Sequence, residues 1–361
     1  MHMPRGLQWV TSNRLEVLSS RLAASVRRPL DDPLAHETVV VQSLGMARWI
    51  QLELTRQNGV CSAVRFPFPQ VFLREVCTRI IPEGADDRRW DREPLTWRIW
   101  SALTATPGLS EAQHYAGSDP RRRFQLAARL AGLFDQYLVY RPDWVEAWSR
   151  GEETSWQALL WRTVGAGPDD WPESKRFLRA VERLRSGGVE GLPERVSVFG
   201  ISALPPLYLE LLAALGTCVE VTLYQLQPCR EFWGDAVSSR EEQRLLRRAG
   251  RRADEAEALH LERGHRLLAS LGRLGRSFLG QMAERGTGAD EADPEDSFVD
   301  PGSDTLLHAV QSDLLHLIDR SRSAEGWPRW AVSPDDASLR LHACHGPRRE
   351  LEVLQDQLLA A

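Results

Sequence analysis

The sequence predicts an α/β fold interrupted by an all-helical insertion, and three observations support this prediction. Two β-branched segments, Thr38–Val41 and Arg195–Phe199, are each followed by a turn and a helical pattern. The third observation is the region 85–185, whose patterns are helical throughout and rich in Trp and Leu. We therefore expect an α/β domain in residues 1–84 and 186–337, with residues 85–185 inserted as a helical subdomain.

The first part of the chain predicts a helix, a strand and a second helix. Ser12-Asn13 precede apolar residues at helical spacing, which predicts a capped helix within residues 7–24. The strand Thr38–Val41 runs into a tight turn at Gly45, and the apolar pattern of Met46–Leu54 predicts a helix directly after it. This succession of strand, turn and helix is the opening of an α/β unit.

The remaining elements are predicted from the same patterns. In the insertion, the clearest helix begins at Asp119-Pro120, an N-cap followed by proline in the first turn. The other expected elements are, in chain order, a helix at Val71–Ile81, a strand at Arg195–Phe199, a helix at Leu207–Leu215, a strand at Cys218–Tyr224, a helix at Thr305–Ile318, a strand at Leu339–Cys344 and a helix from about Arg349. We expect residues 338–361 to begin a second, incomplete domain of a longer protein.

Two segments with unusual charge lie late in the chain. Residues 238–266 combine many arginines with acidic residues and weak apolar periodicity, which predicts a solvated helix or a mobile loop. Residues 287–304 contain seven acidic residues and no basic one, so we expect that segment to be disordered.

The composition is that of an ordinary globular protein and excludes several classes. A net charge of −5 provides no global basic field, although 45 basic residues, of which Lys175 is the single lysine, leave room for a local basic groove. The sequence contains no apolar run long enough to span a membrane and no secretory signal at its start. Five scattered cysteines without a CxxC pair are typical of reduced thiols, so we expect a cytoplasmic protein.

The turn after the first predicted strand occupies the position of a phosphate-binding loop but lacks its residues. Such a loop needs G-x-x-x-x-G-K-[ST], whereas residues 42–48 read QSLGMAR, with one glycine and no lysine. The second strand ends in Phe199–Ser202, without the acidic pair that would hold magnesium. The chain thus keeps the layout of a motor domain without its chemistry, and we expect it to bind no cofactor.

Other candidate sites are weaker. His342, Cys344 and His345 resemble a metal cluster, but on a strand the third side chain would point away from the first two, so we expect no metal site. Asp135, Gln136 and Arg141, near the end of the Asp119 helix, carry groups suited to base edges or phosphates. The alternative, a salt bridge at the helix end, is equally compatible with the sequence. Thirteen tryptophans are better explained by packing in helical cores than by base stacking.

Eight distinctive motifs occur in order along the chain, namely SNRLEVL (12–18), VVVQSLGMARWIQ (39–51), FPFP (66–69), LFDQYLVYRPDW (133–144), VFGISALPPLYL (198–209), PCREFWGD (228–235), LLHAVQSDLL (306–315) and HACHGPRRELEVL (342–354). These motifs resemble those of the RecC family, the gamma subunits of exodeoxyribonuclease V (RecBCD), over the N-terminal part of that much longer protein.

The resemblance implies a fold, a function and partners. RecC is built like a superfamily 1 helicase motor with a degenerate ATP site, so residues 338–361 would start the second motor-like domain. It implies a non-catalytic DNA-binding and scaffold subunit that holds RecB-type and RecD-type partners. Such a subunit splits duplex ends and scans the 3′ strand for Chi, the sequence that switches the complex from degradation to recombination. ATP and Mg²⁺ are then expected only on the partner subunits.

The resemblance also implies DNA-contacting residues. The family's pattern for the scanning channel is matched by Gln42, Leu133, Asp135, Gln136 and Arg141. Arg48 also belongs to the implied set, but there the family has glutamine. The other departures are Leu44 for threonine, Arg74 for tryptophan, Gly132 for aspartate and Glu173 for arginine. Because arginine favours guanine and glutamine favours adenine, we expect this chain to read a different sequence from that family's, or none.

Two alternatives to this function remain open from the sequence. The chain could be an ATP-dependent helicase in its own right, which would require nucleotide binding at residues 42–48. It could instead be a protein-interaction module that binds DNA only after assembly.

Overall fold

The computed structural model describes most of the chain, namely residues 6–83, 88–165, 172–234, 265–284, 297–320 and 327–360. The strands are β1 (Leu7–Ser12), β2 (Glu37–Val41), β3 (Val64–Arg65), β4 (Arg195–Phe199) and β5 (Glu220–Leu226). The helices are α1 (Leu15–Val26), α2 (Leu44–Asn58), α3 (Pro69–Ile80), α4 (Arg92–Ala105), α5 (Ser110–Ala116), α6 (Pro120–Tyr140), α7 (Pro142–Arg150), α8 (Trp156–Gly165), α9 (Glu173–Ser186), α10 (Pro206–Leu215), α11 (Arg266–Leu271), α12 (Arg273–Glu284), α13 (Leu306–Leu315) and α14 (Pro347–Ala360), with a 3₁₀ turn at Arg88–Trp90.

The five strands of the described chain form one parallel sheet in the order β1-β5-β4-β2-β3. β4 lies between β2 and β5, with Val40 opposite Val198 on one side and Val198 opposite Leu223 on the other. β2, β4 and most of β5 are buried, as expected for parallel strands covered by helices on both faces. The α/β prediction is therefore confirmed.

Alternating side chains of the strands enter two different cores. On one face, Val40 and Val198 pack with α3, α9 and α10. On the other face, Val39 and Val41 pack with residues of α1 and α2, including Leu22 and Ile50. The sheet is thus a central layer, and its strands have the near-continuous apolar sequence that the prediction relied on.

Helices α4 to α8 have a separate core of their own. It contains Phe134, which meets Trp161 edge to face at a centroid distance of 5.5 Å, and Trp148 at 6.1 Å. Trp161 also stacks at a tilt against Trp90. Of the seven described tryptophans of this region, three are buried in this core and two more pack against it, while Trp97 and Trp144 are exposed. The described part of residues 85–185 contains no strand.

The chain divides into two compact units, Met1–Leu226 with Ser277–Ala292, and Gln227–Arg276 with Asp293–Ala361. The sheet and helices α1 to α10 belong to the first unit. In the second unit, buried Asp313 accepts hydrogen bonds from Arg320 at 2.8 Å and from Trp330 Nε1 at 3.0 Å, and Arg320 lies over the Trp330 ring. The boundaries of the predicted domains stay a prediction.

Several predicted elements differ from the structure. Leu339–Cys344 is not a strand, because no described strand pairs with it, and Leu341 is fully exposed. Gly45 lies inside α2 rather than in a turn, since Ser43 caps the helix two residues earlier by accepting from the Met46 amide at 3.2 Å. β1 was not expected, because its residues alternate weakly and were assigned to the first helix.

Other predictions are confirmed or fall outside the description. Asp119 caps α6 by accepting from the Arg121 amide at 2.9 Å. Of the charged segment 238–266, only residues 265 and 266 belong to the described residues. Of the acidic segment 287–304, residues 287–296 lie outside them. The remainder of the acidic segment is not disordered as expected, since Phe298 is buried.

The buried ion pair between Glu37 and Arg195 joins the first residues of β2 and β4. Both side chains are at most 10% exposed, and Arg195 also donates to the Arg28 carbonyl at 2.9 Å. Removing the carboxylate by Glu37→Ala leaves a buried charge without its partner, so we expect the free energy of unfolding to fall by about 3 kcal/mol.

Urea unfolding followed by circular dichroism measures this loss. The control is Glu182→Ala, which breaks the exposed Arg179–Glu182 pair and should cost less than about 1 kcal/mol. Equal losses in the two variants would contradict the role assigned to the buried pair.

Candidate functional site

A cleft opens at the carboxyl ends of the two central strands β2 and β4. The connection leaving β2 runs to β3 on one side of the sheet, whereas the connection leaving β4 runs to β5 on the other. Such a reversal leaves a crevice between the two strand ends, which is where ligands bind in open parallel sheets. Gln42 directly follows β2, and Ile201 lies two residues after β4.

The cleft has a volume of about 350 Å³ and is lined by residues of the sheet edge, α3, α6 and α10. Its lining residues are Gln42, Phe68, Pro69, Gln70, Asp135, Gln136, Val139, Tyr140, Ile201, Ala203, Leu204, Pro205 and Tyr208. Apolar walls with a few hydrogen-bonding groups are typical of ligand sites.

Helix α6 places Asp135 and Gln136 in the cleft because its opposite face is fixed in the helical core. Phe134 and Leu138 are buried there, so the two polar residues project outward, where both are exposed. Local sequence therefore determines the orientation of these side chains, and packing of α6 against α10 brings them to the sheet edge.

Charged residues beside the cleft shift the acidity of Asp135. Partial desolvation raises the pKa of Asp135 above its usual value, and the negative charge of Glu173 adds to the effect, while Arg74 and Arg92 oppose it. Glu173 itself is bound to Arg74 in an ion pair. Burial likewise raises the pKa of Tyr208, so this phenol is a neutral hydrogen-bonding group at physiological pH.

The cleft carries groups for binding and none of the usual sets for catalysis. Among the residues described as lining it there is no histidine, cysteine or serine to act as base or nucleophile. No group of three or more His, Cys, Asp and Glu residues that could hold a metal ion occurs in the described part of the chain. Amide, carboxyl and phenol groups between apolar walls can bind a ligand through hydrogen bonds and stacking.

Three of the six predicted contact residues, Gln42, Asp135 and Gln136, line this cleft together. The other three lie outside it. Arg48 is exposed on α2 and donates to Gln51 Oε1 at 3.0 Å, while Leu133 packs half-buried against the helical core. Their roles stay predictions.

Arg141 forms the salt bridge at the helix end that the sequence offered as the alternative to a DNA contact. Its guanidinium donates to both carboxylate oxygens of Asp143, at 3.1 and 2.8 Å, and lies 3.7 Å from the centroid of the Trp144 ring. The hydrogen bond from Arg141 holds the pKa of Asp143 below its usual range. The helix-end salt bridge therefore exists, and the guanidinium remains partly exposed.

Several residues that line the cleft are not among the predicted contact residues. Gln70 follows the Phe66–Pro69 motif, and Tyr208 lies in the first turn of α10, two residues after Pro206. Both motifs were visible as chain breaks, but only the packing of α3 and α10 beside α6 shows that the residues after them face one cleft.

Among the described residues, no helix combines the length and the apolar character required to cross a membrane. All five cysteines are unpaired.

The fold and the site define a parallel α/β protein with a polar binding cleft at the carboxyl edge of its sheet. The model of the RecC N-terminal domain matches residues 7–317. The chain is 37% identical to the RecBCD enzyme subunit RecC of Escherichia coli (strain K12), over 97% of this chain and 35% of that relative. The chain belongs to the RecC family.

Two further relatives carry the same description. The RecBCD enzyme subunit RecC of Haemophilus influenzae is 29% identical over 96% of this chain and 36% of its own length. That of Mycolicibacterium smegmatis is 32% identical over 96% of this chain and 31% of its own length. The chain thus spans about a third of the length of the curated relatives it matches, and its resemblance to the N-terminal part of RecC is confirmed.

The raised pKa of Asp135 has a consequence for stability. A carboxyl that binds its proton more tightly in the folded chain than in the unfolded one makes stability fall as the pH rises through the folded pKa. Asp135→Asn removes this penalty, so we expect a gain in the free energy of unfolding at pH 7, below about 1 kcal/mol because the residue is exposed. The gain should shrink toward pH 4.

Urea midpoints at several pH values measure the effect. Asp143→Asn is the matched control, since its carboxyl has a lowered pKa and its loss should leave stability at pH 7 unchanged or reduced. A gain in both variants would contradict the assigned cause.

Proposed function

We propose that this chain is a non-catalytic DNA-binding and scaffold part of a cytoplasmic RecBCD-type helicase–nuclease that acts in double-strand break repair by recombination. Its partners are RecB-type and RecD-type subunits, a duplex DNA end and the 3′ strand that leaves it. The observation that carries the proposal is the convergence of Gln42 with Asp135 and Gln136, which lie more than 90 residues further along the chain, on one cleft whose lining has no histidine, cysteine or serine.

The chemistry of the cleft suits the bases of a single strand. Glutamine amides pair with adenine through two hydrogen bonds, and an aspartate accepts from the amino group of cytosine. Phe68 and Tyr140, at 40% and 56% exposure, offer rings against which a splayed base stacks. The bases would thus be read while the backbone lies outside the cleft, which is what scanning for a Chi-like sequence requires.

The N-terminus of α2 supports the proposal that the chain takes no nucleotide cofactor. A phosphate loop needs free amides at that point, but the Met46 amide is already bound to Ser43 Oγ. The Met46 side chain packs against Gly200, where an added Cβ would lie 3.2 Å from Met46 Cε. In this proposal ATP and Mg²⁺ bind only to the partner subunits.

Two departures from the family pattern support a different sequence preference. Arg74 stands where the resemblance expects tryptophan, and Glu173 stands where it expects arginine, and these two residues form an ion pair with each other. Both act electrostatically on Asp135. The two departures therefore change the charges around the Asp135 carboxylate together. We propose that the base read at this position differs from the base that the family pattern implies.

The test is a salt titration of the chain's affinity for a labelled single strand, with and without ATP. We expect affinity to fall steeply with salt and to ignore ATP. Gln42→Ala and Gln136→Ala should each weaken binding about tenfold, because each removes one bidentate base contact.

The matched control is Gln311→Ala, which removes an exposed glutamine of α13 in the second unit. An ATP-dependent change in affinity would contradict the proposal and favour a helicase. Unchanged binding in both cleft variants would remove the cleft from the DNA path. Loss of DNA binding in the chain alone, with binding to RecB retained, would favour the pure interaction module.

A further inference from the structure

Helices α4 and α6 expose a row of aromatic rings away from the cleft. Trp97 and Phe124 are 53% and 42% exposed, with ring centroids 5.2 Å apart. Trp97 is also 6.2 Å from Trp100, and the Arg123 guanidinium lies 5.6 Å from the centroid of the Trp100 ring. We refer to Trp97, Trp100, Arg123 and Phe124 as the aromatic platform.

Trp100 packs half-buried against the helical core, but core packing does not account for Trp97 and Phe124. The same helices bury Leu95, Ile99 and Leu130 on their inner faces, so the helical core is complete without Trp97 and Phe124. Adjacent exposed rings differ from singly scattered apolar residues, because contiguous exposed apolar surface marks an interaction site.

The charges around the platform are predominantly positive. Arg121 and Arg123 have no carboxylate partner among the described residues, and Arg122 lies 3.9 Å from Asp119, whose side chain already caps α6. Three arginines in the first turns of a helix oppose its dipole, so they are not explained by helix stability. Glu93, one turn before Trp97, is the acidic residue on the facing stretch of α4.

We propose that the aromatic platform is a second binding site for single-stranded DNA, with bases stacked on Trp97 and Phe124 and phosphates on Arg121–Arg123. Exposed rings beside a cluster of arginines are the combination that binds single strands without sequence preference. An acidic peptide would use the arginines but would gain little from two flat rings.

This inference deepens the proposed function and rests on it for the identity of the ligand. Phe124 and Gln136 lie on the same helix, about 18 Å apart along its axis. One strand can therefore contact both sites, stacked without sequence preference at the platform and read by hydrogen bonds at the cleft.

The test uses the whole chain and a labelled 20-nucleotide thymidine strand. Trp97→Ala combined with Phe124→Ala should weaken binding about tenfold or more, while Trp97→Phe keeps most of the affinity because its ring still stacks. Arg121→Ala and Arg123→Ala should each lower the salt dependence by about one unit of slope. A strand carrying 5-iodouracil should cross-link on irradiation to Trp97 or Phe124.

The matched control is Phe232→Ala, which removes a 54% exposed ring in the second unit and should leave binding unchanged. Circular dichroism should show every variant folded, since the replaced rings lie outside the core.

The outcomes separate the two proposals. Unchanged affinity of the Trp97/Phe124 variant for the thymidine strand, with loss of affinity in Gln136→Ala for a strand that contains adenine, overturns the platform alone. A chain that binds no strand at all overturns both. If the double variant loses binding to a polyglutamate peptide and not to the thymidine strand, the platform serves an acidic protein partner and the inference is wrong.

Discussion

Burial of β4 between β2 and β5 is the constraint on which the rest of the first unit depends. A parallel strand in the middle of a sheet must have helices on both faces, because its backbone and its side chains are removed from water together. β4 meets this condition through α1 and α2 on one face and α3, α9 and α10 on the other. At the amino end of β4, the buried Glu37–Arg195 ion pair joins the first residues of β2 and β4.

The same strand order creates the cleft. Because the chain leaves β2 in one direction and β4 in the other, no connection crosses the gap between their carboxyl ends. The helical insertion supplies the remaining wall through α6, whose Phe134 is held by Trp148 and Trp161. The cleft is thus bounded by helices and by the edge of the sheet.

Next to the cleft, Ser43 caps the N-terminus of α2, and the Met46 side chain packs against Gly200. Two departures from the family pattern are neighbours in the structure. Arg74 and Glu173 were two unrelated differences in the sequence, but they form one ion pair in the structure, and their common neighbour is Asp135.

The sequence by itself determined the strongly patterned elements. β4 has the predicted bounds, and the Asp119 cap is present. Local patterns failed where pairing decides the structure. Leu7–Ser12 becomes a strand because β5 lies beside it, and Leu339–Cys344 stays irregular because no described strand does.

The site divides in the same way. Hydrogen-bonding side chains at Gln42, Asp135 and Gln136 were visible in the sequence, as were Arg48, Leu133 and Arg141. Only the tertiary structure separated the first three from the rest, because a contact between residues far apart in the chain depends on how helices pack against a sheet edge, and no local pattern records that packing.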